Sequence, residues 1–156
     1  MKPEDWIQQS IELAIKSMEA GKGGPFAAIV VRQGKVISEG YNEVTSSCDP
    51  TAHAEVQAIR KACRELGSFQ LDDCELYSSC EPCPMCLGAI YWARPARVYY
   101  AASRIEAARA GFDDDFIYQE IPKALGERTI PFVHVQNLRS FEPFERWQRK
   151  EDRIKY

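Results

Sequence analysis

The sequence lacks any apolar stretch long enough to cross a membrane. Its longest apolar runs, such as Pro25 to Val31 and Leu87 to Ala93, are far shorter than the roughly 20 residues that a membrane-spanning helix needs. Acidic residues interrupt the opening segment, where a secretory signal would carry its apolar core, at Glu4, Asp5, Glu12 and Glu19. These absences argue against membrane insertion and export, and they predict a cytoplasmic protein.

An excess of positive charge is also missing. The chain has 20 Lys and Arg residues against 23 Asp and Glu residues, a formal net charge of −3, and a sequence pI of about 5.5. This balance provides no electrostatic basis for general binding of nucleic acid. Basic residues do cluster near the C-terminus, but neighbouring acidic residues nearly cancel their charge.

Internal repeats, low-complexity segments and linkers are absent as well. A chain of 156 residues is long enough to bury a core without disulfide bonds, so we predict one domain over residues 1–156, with 141–156 as a C-terminal tail. Hydrophobic periodicity predicts helices at 4–20, about 51–66, 82–94 and 141–156, and short or irregular structure at 104–126. It predicts five strands at 26–32, 35–42, 75–79, 97–101 and 132–138. Helices that alternate with strands indicate an α/β fold, with a mixed sheet covered on both faces and an antiparallel hairpin at its start.

Cysteine is the most informative residue type that is present. The six cysteines come without an export signal, and in a reducing compartment such a cluster more often binds metal or stays as free thiols than forms disulfides. Cys80, Cys83 and Cys86 form two overlapping C-x-x-C spacings. The other three (Cys48, Cys63 and Cys74) are interpreted as structural, and so is His134 in the predicted fifth strand.

Two segments together match the H-x-E…P-C-x-x-C signature of zinc-dependent nucleobase deaminases. The first is His53-Ala54-Glu55 and the second is Pro82-Cys83-Pro84-Met85-Cys86. Cysteines three apart face the same way on the first turn of a helix, and the positive end of the helix dipole favours the thiolate that zinc requires. One histidine and two cysteines leave the fourth zinc position open, as in catalytic sites.

Residues two apart in mid-helix point in nearly opposite directions, so His53 and Glu55 can converge only if His53 lies at or before the start of its helix. Asp49-Pro50-Thr51 supplies helix-start signals just upstream. Glu55 would then lie beside the metal without binding it and would transfer protons as a general acid and base. Two alternatives stay open at this point: Cys80 as a fourth ligand rather than a packed free thiol, and a non-catalytic zinc module.

The whole chain resembles the bacterial guanine deaminases, which have the cytidine deaminase-like fold. The segments that carry the resemblance are Gly23-Gly24-Pro25-Phe26, Asn42, 49–55, 79–93, Ala110-Gly111-Phe112-Asp113-Asp114-Asp115-Phe116-Ile117-Tyr118 and the terminal Tyr156. The resemblance implies a three-layer α/β/α sandwich with a central five-stranded mixed sheet. It also implies hydrolytic deamination of guanine to xanthine and ammonia in purine catabolism or salvage. In that reaction, hydroxide on zinc attacks C2 while Glu55 protonates N3.

The resemblance also implies residue roles. His53, Cys83 and Cys86 would hold Zn²⁺, and Glu55 and Asp114 would be catalytic. The substrate-binding positions would be Asn42, Phe26, Ala54, Trp92, Asp114 and Tyr156. Three consecutive carboxylates leave open which of Asp113, Asp114 and Asp115 faces the site.

Assembly and substrate are the remaining expectations. Members of this family form dimers in which the C-terminal segment covers the partner's site, and aromatic residues in the tail here (Phe141, Phe144, Trp147 and Tyr156) predict a homodimer with an exchanged tail.

The alternative substrates are guanosine, a triazine, another base, or adenosine in transfer RNA. Because the tail has no net basic stripe, nucleic acid is not expected as a partner.

Overall fold

The computed structural model describes all 156 residues and contains two compact parts, residues 1–114 and residues 115–156. The first part holds, in chain order, α1 (Pro3–Glu19), β1 (Ala27–Arg32), β2 (Lys35–Tyr41), α2 (Val44–Ser47), α3 (Ala54–Leu66), β3 (Cys74–Cys80), α4 (Pro84–Ala93), β4 (Arg97–Ala102) and α5 (Arg104–Arg109). The second part holds α6 (Asp115–Glu120), a 3₁₀ turn (Leu125–Glu127) and α7 (Glu142–Arg149). The predicted positions of the first four strands agree with these bounds to within one residue.

The sheet is mixed, with the strand order β2-β1-β3-β4. The β1–β2 hairpin is antiparallel, as predicted, and β1 also pairs antiparallel with β3. β3 and β4 run parallel, and α4 makes the crossover between them. The two parallel strands end at the same edge, where the chain turns from β3 into the segment that precedes α4.

Helices cover both faces of this sheet, as predicted. Alternate residues of β1 point to opposite faces: Ala28 and Val30 pack beneath α3 and α4, whereas Ile29 and Val31 pack against Trp6 of α1. All four of these strand residues are almost fully buried, which explains why β1 is a nearly continuous apolar run. The three-layer architecture expected from the resemblance is therefore present in residues 1–114.

The prediction of a fifth strand at 132–138 is wrong. Residues 131–137 have no regular secondary structure, and the sheet has four strands. The apolar pattern is present, but Val133 and Val135 are 80% and 77% exposed and the segment pairs with no strand of this chain. A strand is stable only when its backbone groups are paired, so an apolar pattern alone cannot form one.

The helix predicted over 141–156 is limited to α7. The remaining predicted helices are observed with shifted ends, and none of the helices is both long enough and apolar enough to span a bilayer.

Candidate metal centre and active site

The three predicted metal ligands come from the first residues of two helices. His53 is the residue that caps the N-terminus of α3, and Cys83 is the corresponding residue of α4. Both have extended backbone conformations. Pro84 follows at the first helical position, where its missing N–H leaves no bond unmade, and Cys86 lies one turn inside α4. The prediction that His53 precedes its helix is confirmed.

These three side chains converge. Nδ1 of His53 lies 3.4 Å from Sγ of Cys83 and 3.5 Å from Sγ of Cys86, and all three ligand atoms lie within 4.8 Å of one another. With ordinary Zn–S and Zn–N bond lengths, a nitrogen and a sulfur on one tetrahedral zinc ion are about 3.6 Å apart. Two soft sulfurs and one imidazole nitrogen are also a donor set that zinc prefers. The residues present therefore fit a zinc ion in both spacing and chemistry.

The surroundings stabilise a thiolate at Cys83. A hydrogen bond from Cys86 and a second one from His53 lower the pKa of Cys83 to about 4. The same sulfur contact raises the pKa of Cys86, and burial raises it further. Zinc binds cysteine as thiolate, so binding of the ion would release the thiol protons of this pair. The N-termini of α3 and α4 add positive potential at this point.

Glu55 lies beside the ligand cluster and is only 6% exposed. Its Oε2 is 3.2 Å from Sγ of Cys86, and its Oε1 accepts a hydrogen bond of 3.1 Å from the hydroxyl of Ser78. Burial raises the pKa of the Glu55 carboxyl, because the charged form loses hydration. A carboxyl whose pKa is raised towards neutrality is suited to accept a proton and return it.

Two residues to which the sequence assigned no role, Ser78 and Phe112, contact the predicted site residues Glu55 and Phe26, respectively. Ser78 is on β3, 23 positions from the carboxyl that it contacts, so no local spacing links the two residues. The ring of Phe112 packs edge-to-face on Phe26 with 4.9 Å between centroids. Phe112 does lie in one of the segments that carry the resemblance, but nothing in that segment indicates its contact.

Cys80 lies outside the metal cluster. The group of side chains that could hold a metal contains His53, Cys83 and Cys86 but not Cys80. Cys80 is buried at the end of β3, and burial raises the pKa of its thiol to about 11. Its position outside the group of converging ligand atoms agrees with the interpretation of Cys80 as a packed free thiol.

Asn42 is 7% exposed and is held in one orientation. Its Oδ1 accepts hydrogen bonds from the backbone N–H groups of Gly24 (3.1 Å) and Val44 (3.2 Å). Gly23 must be glycine here, because a Cβ would lie 2.3 Å from the backbone oxygen of Asn42 and 2.5 Å from Oδ1. With the amide oxygen occupied by backbone, the NH₂ group is the part of Asn42 that can meet a ligand, and it donates.

Asp114 is the least exposed carboxylate of the 113–115 triplet. Burial raises the pKa of Asp114, and the negative charge of Cys83 raises it further. The second effect shows that Asp114 is electrostatically coupled to a metal ligand. Asp113 and Asp115 are both exposed, whereas Asp114 is half-buried.

The other predicted substrate-binding residues are less directly linked to the cluster. Ala54 is fully buried as the first residue of α3, between His53 and Glu55. Trp92 lies in the last turn of α4 and is 65% exposed. Tyr156 ends the second compact part and is 72% exposed. Their roles in binding stay predictions.

Comparison with known proteins places this geometry in a family. Residues 1–102, which contain all three metal ligands and Glu55, match the model of the cytidine and deoxycytidylate deaminase zinc-binding region. The chain belongs to this zinc-binding deaminase family. The H-x-E and C-x-x-C segments are thus parts of a zinc site shared across the family, and zinc is the metal that the His/Cys/Cys group accommodates.

Two relatives of this deaminase family differ in how much of the chain they match. Guanine deaminase from Bacillus subtilis (strain 168) is 56% identical over 156 residues, which is 100% of both chains. The X-ray structure of the Bacillus subtilis guanine deaminase superposes with a TM-score of 0.99 and covers 100% of this chain and 99% of that one. The tRNA-specific adenosine deaminase of Aquifex aeolicus (strain VF5) is 40% identical over 102 residues, 65% of this chain and 67% of its own.

Proposed function

We propose that this protein is a zinc-dependent guanine deaminase that hydrolyses guanine to xanthine and ammonia. The observation that carries the choice of substrate is that the similarity to the Bacillus guanine deaminase extends over the whole chain. The family model ends at residue 102 and the tRNA-specific relative matches about the same length. The full-length match therefore includes Asp114 and the whole second part of the chain, which lie beyond the family model.

His53, Cys83 and Cys86 would hold the zinc ion, which, when bound, acts as a Lewis acid that makes water a strong nucleophile at neutral pH. Glu55 is the base beside that position. It would take a proton from the attacking water and deliver it to N3 as the new C–O bond forms at C2.

Loss of ammonia needs a second proton transfer. The hydroxyl proton on the tetrahedral C2 would move to the amino nitrogen, the C2–N bond would break, and a C2 carbonyl would remain. Glu55 and Asp114 are the carboxyl groups that can carry this proton, since burial raises the pKa of each. Atoms balance as guanine plus water giving xanthine plus ammonia.

Substrate orientation would depend on Asn42 and on an aromatic pair. Because the backbone occupies Oδ1 of Asn42, its NH₂ would donate to an acceptor of the base, such as a carbonyl oxygen or an unprotonated ring nitrogen. Guanine presents both kinds of acceptor on the edge remote from its amino group. Phe26, braced by Phe112, is an apolar surface against which a flat base could pack.

The substrate assignment is tested by turnover of guanine and guanosine in parallel, with the zinc-loaded protein and absorbance detection of xanthine or xanthosine. We expect turnover of guanine and not of guanosine. A preference for guanosine would show that the pocket extends beyond N9 of the base. Absence of both reactions in a protein that retains zinc would refute the proposed substrate.

The Glu55→Gln variant tests whether the site is catalytic. The amide keeps the size of the side chain but cannot exchange the proton, so we expect a loss of kcat of at least about 10²-fold with unchanged zinc content. A non-catalytic zinc module would not require this carboxyl. If Glu55→Gln turned over guanine at the wild-type rate, Glu55 would not be the proton carrier.

We also propose a homodimer in which the C-terminal tail of one subunit covers the site of its partner. What supports this is the second part of the chain, where large apolar side chains lie exposed: Ile130, Phe132, Val133, Val135, Leu138, Phe141, Phe144, Trp147, Ile154 and Tyr156. Such a surface on a free monomer would be unusual. The cytoplasmic location expected from the sequence stays a prediction.

Deletion of residues 151–156 tests the role of the tail. We expect lower kcat/KM for guanine with unchanged zinc content, because the ligands lie in residues 53–86. Molecular mass from light scattering, measured on both proteins, tests the dimer separately. Wild-type kcat/KM in the truncated protein would contradict a covering role for the tail.

A further inference from the structure

The carboxyl of Glu55 has few groups that could hold it in position. The contacts to its side chain are the hydroxyl of Ser78, the sulfur of Cys86 and the backbone N–H of Glu55 itself. The sulfur contact depends on a proton, and zinc binds cysteine as thiolate, which has none to donate. With zinc in place, Ser78 is the side chain that still donates a hydrogen bond to this carboxyl.

The hydroxyl of Ser78 is itself held in one orientation. Ser78 is 1% exposed, and its oxygen accepts a bond of 3.4 Å from the backbone N–H of Cys80 while its proton points to Oε1 of Glu55, 3.1 Å away. Cys80 is the last residue of β3, three residues before the ligand Cys83. The strand that leads to the metal ligand thus also supports the hydroxyl that contacts the base.

From this arrangement we infer that Ser78 is a positioning residue for the catalysis proposed above: its hydrogen bond holds the carboxyl of Glu55 in the orientation that proton transfer requires. The inference rests on the proposed function. Proton transfer depends strongly on geometry, and a displacement of about 1 Å can lower a rate by about 10²-fold. Because Ser78 is 1% exposed and its hydroxyl already bonds to Glu55 and to the backbone of Cys80, we expect its loss to change kcat and leave KM for guanine unchanged.

The central test is a set of substitutions at one position. Ser78→Ala removes the hydroxyl, and we expect kcat to fall by about 10- to 100-fold with unchanged zinc content. Ser78→Thr and Ser78→Val have the same shape and differ in the hydroxyl alone. We expect kcat of Ser78→Thr to exceed that of Ser78→Val by about tenfold or more, even if added bulk in this buried position lowers both. Equal values for Thr and Val would overturn the inference.

Ser79→Ala is the matched control. Ser79 is also a buried serine of β3, but its Oγ accepts a hydrogen bond of 3.0 Å from the backbone N–H of Ala27 and does not contact Glu55. We expect Ser79→Ala to lower the melting temperature and keep kcat within about twofold of wild type. If Ser78→Ala and Ser79→Ala lowered kcat equally, both serines would be structural.

Two further measurements separate this inference from the choice of substrate. In a Glu55→Gln background, Ser78→Ala is expected to cause no further loss of residual rate, because the group through which Ser78 acts is already absent. In crystals of zinc-loaded Ser78→Ala, we expect the Glu55 side chain to occupy more than one rotamer. A single, unmoved Glu55 rotamer would refute the positioning role whether or not guanine is the substrate, whereas absence of guanine turnover by the wild type would refute the proposed function.

Discussion

Replacement of Gly40 by alanine tests how closely β2 packs against the helix that carries the catalytic residues. A Cβ at Gly40 would lie 2.3 Å from the carbonyl oxygen of Ala54 and 2.4 Å from the backbone nitrogen of Ala58. Both atoms belong to the backbone of α3, so no side-chain rotation relieves the overlap. The helix must move by at least about 0.7 Å to restore even a 3.0 Å contact.

This movement has two consequences that can be measured. Overpacking of a core typically lowers the free energy of unfolding by about 1–3 kcal/mol. We therefore expect a lower denaturant concentration at the unfolding midpoint. His53 and Glu55 lie at the first turn of α3 and would move with it. A shift approaching 1 Å at a general base lowers kcat by about 10²-fold, and zinc affinity should fall as well, because His53 is displaced from Cys83 and Cys86.

Gly88→Ala is the control for the chemical change itself. Gly88 is an exposed residue of α4, and apart from its chain neighbours and the backbone of its own helix, no atom lies within 4 Å of an added Cβ. Alanine there should leave kcat unchanged and stabilise the helix by up to about 1 kcal/mol. If Gly40→Ala had the wild-type midpoint, zinc content and kcat, the contact between β2 and α3 would not constrain the site, and the reasoning would be refuted.

Two further substitutions test substrate recognition. Asn42→Asp keeps an oxygen for the two backbone N–H donors but replaces the amide donor with an acceptor. The melting temperature should stay near wild type, while kcat/KM for guanine should fall at least about tenfold. An unchanged kcat/KM would exclude Asn42 as a donor to the base. Asp114→Asn should lower kcat by at least about tenfold at constant zinc content, whereas Asp113→Asn and Asp115→Asn should change it less than twofold. A larger effect at either neighbour would assign the role to that carboxylate instead.

The metal ligands could be predicted from the sequence because their arrangement is local. Two cysteines three apart on a first helical turn converge in any helix, and a histidine that precedes its helix has few orientations available. The N-terminal positions of His53 and Cys83 follow from Asp49-Pro50-Thr51 and from Pro84, which are start signals within a few residues of each ligand. The first four strands were predictable for the same reason, since apolar runs between turn residues are local signals.

The fifth strand could not be decided in this way. Residues 132–138 have the composition of a strand, but strand formation depends on a paired neighbour that may be distant in sequence or absent from the chain. The buried face of α1 also depends on packing, because it does not follow the apolar residues alone. The apolar residues Ile15 and Met18 are 47% and 40% exposed, whereas Ser10 is fully buried and its hydroxyl bonds to the carbonyl oxygen of Ile7.

The sequence by itself determined the chemistry of this protein: the donor set for zinc, the carboxyl beside it and the order of the helices and first strands. These features depend on residue types and on their spacing over a few positions of the sequence. Only the tertiary structure decided which contacts hold these functional side chains in position. The bond from Ser78 to Glu55, the bond from the backbone of Gly24 to Asn42, and the approach of Gly40 to Ala54 of α3 all join residues 14 to 23 positions apart. Such contacts depend on how strands and helices pack in space, and that packing leaves no signal in the local pattern of residues.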